Sequence, residues 1–383
     1  QLVVTAIASD GSTYDVTRQA RIDAPQWVTV SGSGLIRPAA DGAGAVVVNF
    51  GNHAHAVKLV ASGVSQAGAG AVDYIRDVGP VLSRLGCNAG TCHGAQKGKA
   101  GFKLSLRGYD AAYDIRALTD DLAARRINPS APEESMMLRK PLGLIPHQGG
   151  SLISVGDPNH AILRRWIADG NQLNMDVARV DSIEVSPHNP IVESTTARQQ
   201  IRVVAHYSDG TQRDVTHQAF IESGNTEVAT ADTTGLLSAV RRGEAPILAR
   251  YEGAYAATTL TVMGDREGYE PVMTEAWTRI DELVSSKWER MKIAPSDLCD
   301  DTTFLRRVHL DLTGLPPTSS QVRAFLADPM QSKMKRQRVI DELIGSEDYI
   351  EYWTNKWADL LQVNRKFLGA EGSKKFRAWI RQA

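Results

Sequence analysis

The amino-acid sequence of 383 residues lacks most of the features that would assign a protein to a class at once. It has only three cysteines, which excludes a disulfide framework. Its 43 Lys and Arg residues almost balance its 44 Asp and Glu residues, so a general affinity for nucleic acid is not expected. No run of about 18 apolar residues occurs, and a membrane-spanning helix is therefore not predicted. The length exceeds what one hydrophobic core normally serves, so we expect several domains.

Two segments of the chain resemble each other. In both, apolar residues alternate with polar ones up to a Ser-Asp-Gly turn, and Asp-Val-Thr follows. The two stretches are QLVVTAIASDGSTYDVTRQA from Gln1 and QIRVVAHYSDGTQRDVTHQA from Gln200. Such alternation predicts a β-hairpin, and further short strands at even spacing predict a β-sandwich. We predict Ig-like sandwiches at residues 1–62 and 181–264, with turns that shape the fold rather than bind calcium or another ligand. The second copy has an extra strand, Ile183–Val185, so we expect the chain to start one strand into its first domain.

From about residue 265 the apolar residues recur with helical spacing, and five of the seven tryptophans lie in this part. One predicted helix places five apolar residues on one face, namely Trp277, Ile280, Leu283, Val284 and Trp288. We predict an all-α domain at residues 265–383, with the tryptophans in one compact core, that is cut short at its C-terminal end. A polar cluster in this domain is either a site or, as we expect, a set of buried ion pairs between helices: Arg306, Arg307, His309 and Asp311.

Between the sandwiches, residues 63–180 contain the segment with the clearest chemistry, GCNAGTCHG. It holds Cys87 and Cys92, and His93 follows directly. Each thiol can form a thioether with a haem vinyl group, and a histidine after the second cysteine then reaches the iron as proximal ligand. The usual motif has two residues between the cysteines; here there are four, and a left-handed Gly90 would let the loop bulge. The alternatives are a local disulfide, or half of a zinc site whose other two ligands the sequence does not indicate.

Two predicted helices frame this motif. VDYIRDVGPVLSRLG predicts a short helix that leads into Cys87, with Pro80 in its first turn. GDPNHAILRRWIADG predicts another helix, which is capped by Asp157, begun by Pro158 and ended by Gly170. A helix before the Cys-His motif and a tryptophan-bearing helix at the end are the usual plan of a small all-α class I cytochrome c. We predict that fold for residues 63–180.

The second axial ligand of the iron should come from later in the same segment. His147 is our first choice, because LIPHQGG is typical of a loop that can approach a flat ligand closely. The alternatives are no protein ligand at all, or one of Met136, Met137, His160 and Met175. We expect the first two methionines to line the haem pocket and His160 to lie on the helix surface. Two histidine ligands would give a lower redox potential than histidine with methionine.

A basic patch surrounds the motif. No acidic residue lies between Arg84 and Gly108, and the basic residues there are Arg84, Lys97, Lys99, Lys103 and Arg107. Three interpretations are open. The patch could dock an acidic redox partner, pair with the haem propionates, or be a solvated surface.

These motifs resemble known families. GCNAGTCHGAQKGKAGFKLSLRGYD, RRINPSAPEESMMLRKPLG and LRRWIADG together resemble the planctomycete cytochrome c domain with the long haem motif. The tail, which contains DDTTFLRRVHLDLTGLPPT and DLLQVNR, resembles the DUF1549 domain, and the repeats resemble bacterial Ig-like group 2 domains. The resemblance implies a large exported haem protein. Its haem residues map onto Cys87, Cys92 and His93, and His147 is the distal ligand expected from its position in the motif.

The sequence supports three functions. We favour an exported cytochrome with one covalent haem c, which passes electrons to an unknown redox partner. The second is a haem enzyme, peroxidase-like or assisting polysaccharide degradation, with the Ig-like domains as binding modules. The third is a structural or adhesion protein with a disulfide loop, whose Ig-like domains bind a polysaccharide or surface ligand. Covalent haem is attached outside the cytoplasm, so we expect a periplasmic or cell-surface location although no signal peptide opens this chain.

Overall fold

The computed structural model describes residues 1–9, 13–64, 72–272 and 275–383. The chain forms two compact units, Gln1–Ile293 and Ala294–Ala383. Within the described residues, no helix combines the length and the apolar character needed to cross a membrane.

The N-terminal segment folds as a small β-sandwich. Its described strands are β1 (Thr5–Ile7), β2 (Thr13–Asp15), β3 (Arg21–Asp23), β4 (Val28–Val30), β5 (Ile36–Pro38), β6 (Gly42–Phe50) and β7 (His53–Ala61). They pair antiparallel as β1–β2, β4–β5 and β3–β6–β7 around a core of Val28, Val46 and Val48. Of the predicted Ser9–Gly11 turn, residues 10 and 11 lie outside the described part of the chain.

The second β-sandwich is larger and has a more extensive core. Its strands are β8 (Val180–Ser186), β9 (Ile191–Val192), β10 (Arg198–Gln200), β11 (Arg202–Tyr207), β12 (Gln212–Asp214), β13 (Phe220–Ser223), β14 (Ala229–Ala231), β15 (Leu236–Ala239), β16 (Gly243–Tyr251) and β17 (Ala254–Val262). They form the sheets β12–β11–β8, β13–β16–β17–β9 and β10–β15–β14. The extra strand predicted at Ile183–Val185 is confirmed as the middle of β8, which pairs with β11. Its Ile183 and Val185 enter the core beside Val203 and Ile247.

The repeated Asp-Val-Thr triplet has the same structural role in both sandwiches. The valine of each triplet, Val16 or Val215, is buried in its domain. The hydroxyl of the following threonine accepts a backbone N–H from the neighbouring segment at 2.8 Å in both copies; the pairs are Val4 with Thr17 and Val203 with Thr216. The triplet therefore joins the hairpin to its neighbour and satisfies a donor that would otherwise be buried without a partner.

The substitution Thr216→Val is expected to destabilise the second sandwich by about 1–3 kcal/mol. Thr216 is completely buried, and valine keeps its shape but leaves the N–H of Val203 without an acceptor. Hydrogen exchange at the Val203 amide measures the loss directly. Thr211→Val is the control, because the Thr211 hydroxyl bonds Asp209 at the surface. Equal protection of the Val203 amide in the two variants would contradict the role of Thr216.

A helical segment follows the first sandwich. A π-helical turn at Tyr74–Val78 leads into α1 (Gly79–Arg84), α2 (Ala111–Thr119), α3 (Asp121–Ala124), α4 (Met136–Arg139) and α5 (Pro158–Ala168), with 3₁₀ turns at Leu106–Gly108 and Pro132–Glu134. The two ends of the segment meet in its core, where the Tyr74 and Trp166 rings lie 5.6 Å apart. Trp166 is completely buried.

Helix α5 begins and ends as predicted, but one of its side chains does not point where we expected. Asp157 accepts the N–H of Asn159 at 2.7 Å, and Gly170 follows the helix with φ +86°. The prediction that His160 lies on the surface is wrong, since it is 7% exposed. It lies three residues before Leu163, which is completely buried, and so shares the inner face of the helix.

Helix α6 (Arg279–Arg290) belongs to the first unit. Lys287 Nζ lies 2.6 Å from the carboxylate of Glu244 on β16, and Arg290 pairs with the same carboxylate. The boundary between the two compact units lies after Ile293, within the residues 265–383 that we predicted as one domain.

The second unit is helical and has a small core. Its helices are α7 (Asp301–Thr313), α8 (Ser319–Ala327), α9 (Ser332–Leu343), α10 (Glu347–Leu360) and α11 (Arg365–Gln382). The core lies between α7, α8 and α9 and is centred on Leu305, Phe325 and Val339. The predicted tryptophan core is wrong, since three of the tryptophans are more than half exposed: Trp277 (66%), Trp357 (52%) and Trp379 (60%). Helical spacing identifies the apolar face of a helix but not what covers it.

The polar cluster of α7 does not form the buried ion pairs that we predicted. Arg307 pairs with Asp311 at 3.9 Å within the same helix, and both side chains are about two-thirds exposed or more (71% and 67%). His309 alone of the cluster is buried, and its Nδ1 lies 3.0 Å from Leu305 O. A more buried ion pair of this unit joins Lys335 and Asp301 at 2.6 Å.

Candidate functional site

The Cys-His segment forms a tight loop after α1. The N–H of Cys87 donates to Leu82 O at 2.9 Å, and the N–H of His93 donates back to Cys87 O at 3.0 Å. The four residues between the cysteines therefore form a closed loop that returns His93 to Cys87. The prediction of a left-handed Gly90 is wrong: the left-handed glycine is Gly86, which leaves the helix with φ +74°.

Asn88 fixes this loop from the inside. It is 1% exposed, and its side-chain Nδ2 donates to Ser83 Oγ at 2.8 Å. Its backbone carbonyl accepts the N–H of Arg107 at 2.9 Å. Gly94 passes so close to that carbonyl that an added Cβ would lie 2.1 Å from Asn88 O. The loop conformation therefore requires glycine at position 94.

Both thiols of the motif are free. Cys87 packs against the core of the segment, and this burial, with Cys92 adding to it, raises the pKa of the Cys87 thiol to about 12. Among the described residues, no three His, Cys, Asp or Glu side chains come together as metal ligands, so the zinc alternative finds no further ligands there. Cys87, Cys92 and His93 are therefore the chemically capable groups of this loop.

The imidazole of His93 is oriented by a backbone carbonyl. Its Nδ1 lies 3.1 Å from Phe102 O, and because a carbonyl oxygen only accepts, Nδ1 carries the proton. The Phe102 ring lies against the imidazole, with 4.6 Å between the ring centroids. The N–H of Leu104 donates to His93 O at 2.8 Å and holds the backbone. Nε2 is left as the basic nitrogen, and no hydrogen bond from the described residues engages it.

Burial and three basic residues from separate parts of the segment affect the pKa of His93. Burial lowers the pKa of the imidazole, and the positive charges of His147, Arg126 and Lys140 lower it further, against the opposing hydrogen bond to Phe102. A lowered pKa favours the neutral imidazole, which is the form that binds metal.

The ring of His147 is held in a similar way. Its Nδ1 lies 3.0 Å from Gly150 O, in a turn closed by the bond from Gly150 N–H to His147 O at 2.9 Å. A Cβ at Gly149 would lie 2.8 Å from His147 Cε1, so glycine leaves room for the ring. Lys140 Nζ donates to Pro146 O at 3.1 Å and ties this loop to the end of α4. The arrangement again leaves Nε2 as the basic nitrogen.

The other candidate ligands have different surroundings. Met136 Sδ accepts the Nε–H of Arg125 at 3.4 Å, and Met137 is partly buried against the core of the segment. Met175 is 58% exposed. His160 is buried on α5, as described above. Of the candidate ligands, His147 is the one among the causes that lower the pKa of His93.

Two neighbours of His93 are absent from the residues predicted for the site. One is Phe102, and the other is Arg126, whose guanidinium lies over the Phe102 ring at 4.3 Å from its centroid. Arg126 is 8% exposed, and its Nη1 is buried without a hydrogen-bond partner. The sequence carries a weak signal for it, because Arg126 belongs to RRINPSAPEES, one of the segments that carry the family resemblance.

The predicted basic patch divides into two groups. Arg84 Nη2 donates to Thr233 O at 3.0 Å, and Arg107 Nη1 donates to Tyr255 Oη at 2.8 Å, so both arginines contact the second sandwich. Lys97, Lys99 and Lys103 are exposed, as is Arg107. The three interpretations of the patch stay predictions.

Two parts of the chain match known family models. Residues 179–262 match the bacterial Ig-like domain (group 2), and residues 279–383 match the family described as protein of unknown function (DUF1549). The chain therefore contains a bacterial Ig-like domain and a DUF1549 domain. Both predictions are confirmed for these residues.

The chain is also similar to individual proteins. Ice-binding protein 1 of Shewanella frigidimarina (strain NCIMB 400) is 33% identical over 102 residues, which are 25% of this chain and 11% of that protein. The chain thus spans about a tenth of that relative's length. Among solved structures, domains 4 and 5 of the S-layer protein SbsC are 16% identical, with 22% of this chain and 53% of that chain covered and a TM-score of 0.20. Domains 4–9 of the same protein are 10% identical, with 69% and 25% covered and a TM-score of 0.21. TM-scores this low establish no shared fold.

Proposed function

We propose that this chain is an exported c-type cytochrome that carries one covalently attached haem c and transfers electrons through it. The observation that carries the proposal is the arrangement of Cys87, Cys92 and His93. Two free thiols lie in one closed loop, followed by an imidazole whose Nδ1 is bonded to a backbone carbonyl and whose Nε2 is unengaged. A hydrogen bond at one ring nitrogen orients a metal-binding histidine and leaves the other nitrogen for the iron. Haem, when bound, supplies a one-electron redox centre.

The surroundings of His93 fit such a group. Phe102 provides an apolar ring beside the imidazole, and Arg126 provides a buried cationic group that lacks an anion. The helices on either side of the motif meet through Tyr74 and Trp166, as a class I cytochrome c fold requires. These features support the cytochrome c-like assignment of the helical segment.

His147 is proposed as the second axial ligand. Its Nε2 is basic for the same reason as that of His93, since each Nδ1 donates to a carbonyl. An iron with two protein ligands has no open position for a substrate. This coordination favours electron transfer over a haem enzyme.

The exposed lysines of the patch, Lys97, Lys99 and Lys103, are proposed as the docking site for an acidic redox partner. Because covalent haem is attached outside the cytoplasm, we place the protein in the periplasm or at the cell surface. The alternative is a surface or adhesion protein in which the Ig-like domains carry the function. It is supported by the Ig-like match and by the similarity to an ice-binding protein.

Optical spectra of the full chain, produced together with haem-maturation proteins, test the proposal. We expect a pyridine haemochrome typical of two thioethers and a low-spin spectrum in the unmodified protein. His147→Ala is expected to give a high-spin spectrum and fast binding of carbon monoxide to the reduced iron, because one axial position is opened. Met136→Leu and Met137→Leu are the controls and should leave the spectrum unchanged.

Each other outcome contradicts a definite part of the proposal. A high-spin spectrum in the unmodified protein would indicate an open iron and favour a haem enzyme. A low-spin spectrum that persists in His147→Ala would move the distal ligand to another residue. Absence of covalent haem would overturn the cytochrome assignment and leave the surface or adhesion protein.

A further inference from the structure

A buried cationic group beside the Cys-His loop has no anionic partner among the residues that the structure describes. Arg126 lies after α3, is 8% exposed, and has its Nη1 buried without a hydrogen bond. Burial lowers the pKa of its guanidinium, and the neighbouring Arg125 lowers it further, whereas Asp121 raises it. Asp121 itself pairs with Arg116 at 3.8 Å, and none of the ion pairs among the described residues includes Arg126.

An unpaired buried charge is strongly unfavourable, because the loss of hydration is not offset by a charge of opposite sign. Buried polar groups of native proteins are almost always hydrogen-bonded, so each exception needs an explanation. A guanidinium presents a planar pair of N–H groups that matches a carboxylate. An anion that accepted a hydrogen bond from Nη1 of Arg126 would satisfy this group, and a carboxylate fits its geometry best.

The location of Arg126 indicates which carboxylate this is. Its guanidinium lies 4.3 Å from the centre of the Phe102 ring, and the same Phe102 contacts the His93 ring and accepts its Nδ1–H. A single residue thus separates the buried cation from the proposed iron ligand. A haem carries two propionate carboxylates on one edge, within reach of side chains that border its axial histidine.

We infer that Arg126 binds one haem propionate through its Nη1 and thereby positions the haem over His93. The inference rests on the proposed function. It also distinguishes Arg126 from the lysines of the basic patch. The lysines are exposed and stay hydrated: Lys97, Lys99 and Lys103. Arg126 is buried, and a bound carboxylate would supply the anionic partner that it lacks.

The test is the pH dependence of the reduction potential in the full chain loaded with haem. A nearby cation lowers the pKa of a carboxylate by about 1–3 units. In Arg126→Gln, the pH at which the propionate ionises, seen as a step in the potential, should rise by about 1–3 units. Arg125→Gln is the matched control, since it removes the same charge from an exposed neighbour and should leave the step in place. Arg126→Lys keeps the positive charge but loses the paired N–H groups of the guanidinium. The pH of the step in the potential should therefore rise by less than about one unit.

The outcomes separate this inference from the proposed function. If the unmodified chain binds no covalent haem, the proposed function fails before any variant is compared. If haem is attached and the step is the same in the unmodified chain, Arg126→Gln and Arg125→Gln, Arg126 does not bind a propionate. Equal shifts in the two glutamine variants would likewise overturn the inference, because they would reflect net charge alone. If Arg126→Gln does not fold, Arg126→Met replaces it, because it also removes the charge and keeps an apolar side chain beside Phe102. A step in Arg126→Met that matches the step in Arg125→Met overturns the inference as well.

Discussion

In the double variant Cys87→Ala, Cys92→Ala, haem is expected to separate completely from the polypeptide in acidified organic solvent, whereas in the unmodified chain it stays attached. The physical reason is covalent. Each thiol would contribute one sulfur–carbon bond to a vinyl carbon, and without the two sulfur atoms only axial ligands and packing would hold the haem. Loss of attachment is all-or-none and is the largest effect expected in this protein.

The single variants refine this prediction. Cys87→Ala and Cys92→Ala should each keep one thioether, so the haem stays attached and the pyridine haemochrome band lies between those of two thioethers and none. Cys299→Ala is the control, because the third cysteine lies in the second unit and outside the motif. Attachment that persists in the double variant, or disappears in Cys299→Ala, would place the thioethers elsewhere.

Gly94→Ala is expected to have the second-largest effect, because it forces apart the loop that carries Cys87, Cys92 and His93, the three residues proposed to hold haem. An added Cβ would lie 2.1 Å from Asn88 O and 3.0 Å from Ala89 O, both backbone atoms that cannot move aside without breaking the loop. We expect a cost of about 3 kcal/mol, at the upper end for overpacking, together with a large loss of attached haem. Thermal unfolding of the full chain and the ratio of haem to protein measure the two effects.

Gly90→Ala is the matched control for this prediction. It adds the same methyl group four residues earlier, where the Cβ would meet Leu106 Cδ1 at an ordinary contact distance of 3.6 Å. Stability and haem content should then change little. If the two variants behaved alike, the close approach of Gly94 to Asn88 would not be what shapes the loop.

Local patterns in the sequence predicted local structure well. The caps of α5 follow from the order Asp157, Pro158 and then Gly170, since each residue type has one favoured place at a helix end. The repeated Asp-Val-Thr triplets occupy equivalent places in the two sandwiches because the threonine hydroxyl satisfies a neighbouring backbone donor in each. The position of the left-handed glycine was missed, since glycine permits that conformation at several positions and the chain uses it at Gly86.

Contacts between distant residues were harder to predict. Nothing in the spacing of Phe102 or Arg126 relates either residue to His93, yet the fold stacks the three groups in a row. The same holds for His160, because histidine is intermediate between the buried and the exposed residue types and its spacing does not show that this helix face is buried. The tryptophans of the C-terminal region show the opposite error, since we predicted them to be buried and three are more than half exposed. An apolar helix face is buried only where another element packs against it.

The sequence by itself determined which groups can react and where helix α5 starts and stops. Thiol, imidazole and cap chemistry belong to residue types and short spacings, and these do not depend on the rest of the chain. Only the tertiary structure decided which ring nitrogen of His93 is basic, which residues lower its pKa, and that the Nη1 of Arg126 is buried without a hydrogen-bond acceptor. Those properties depend on burial and on partners that come from far along the chain, and folding alone brings them together.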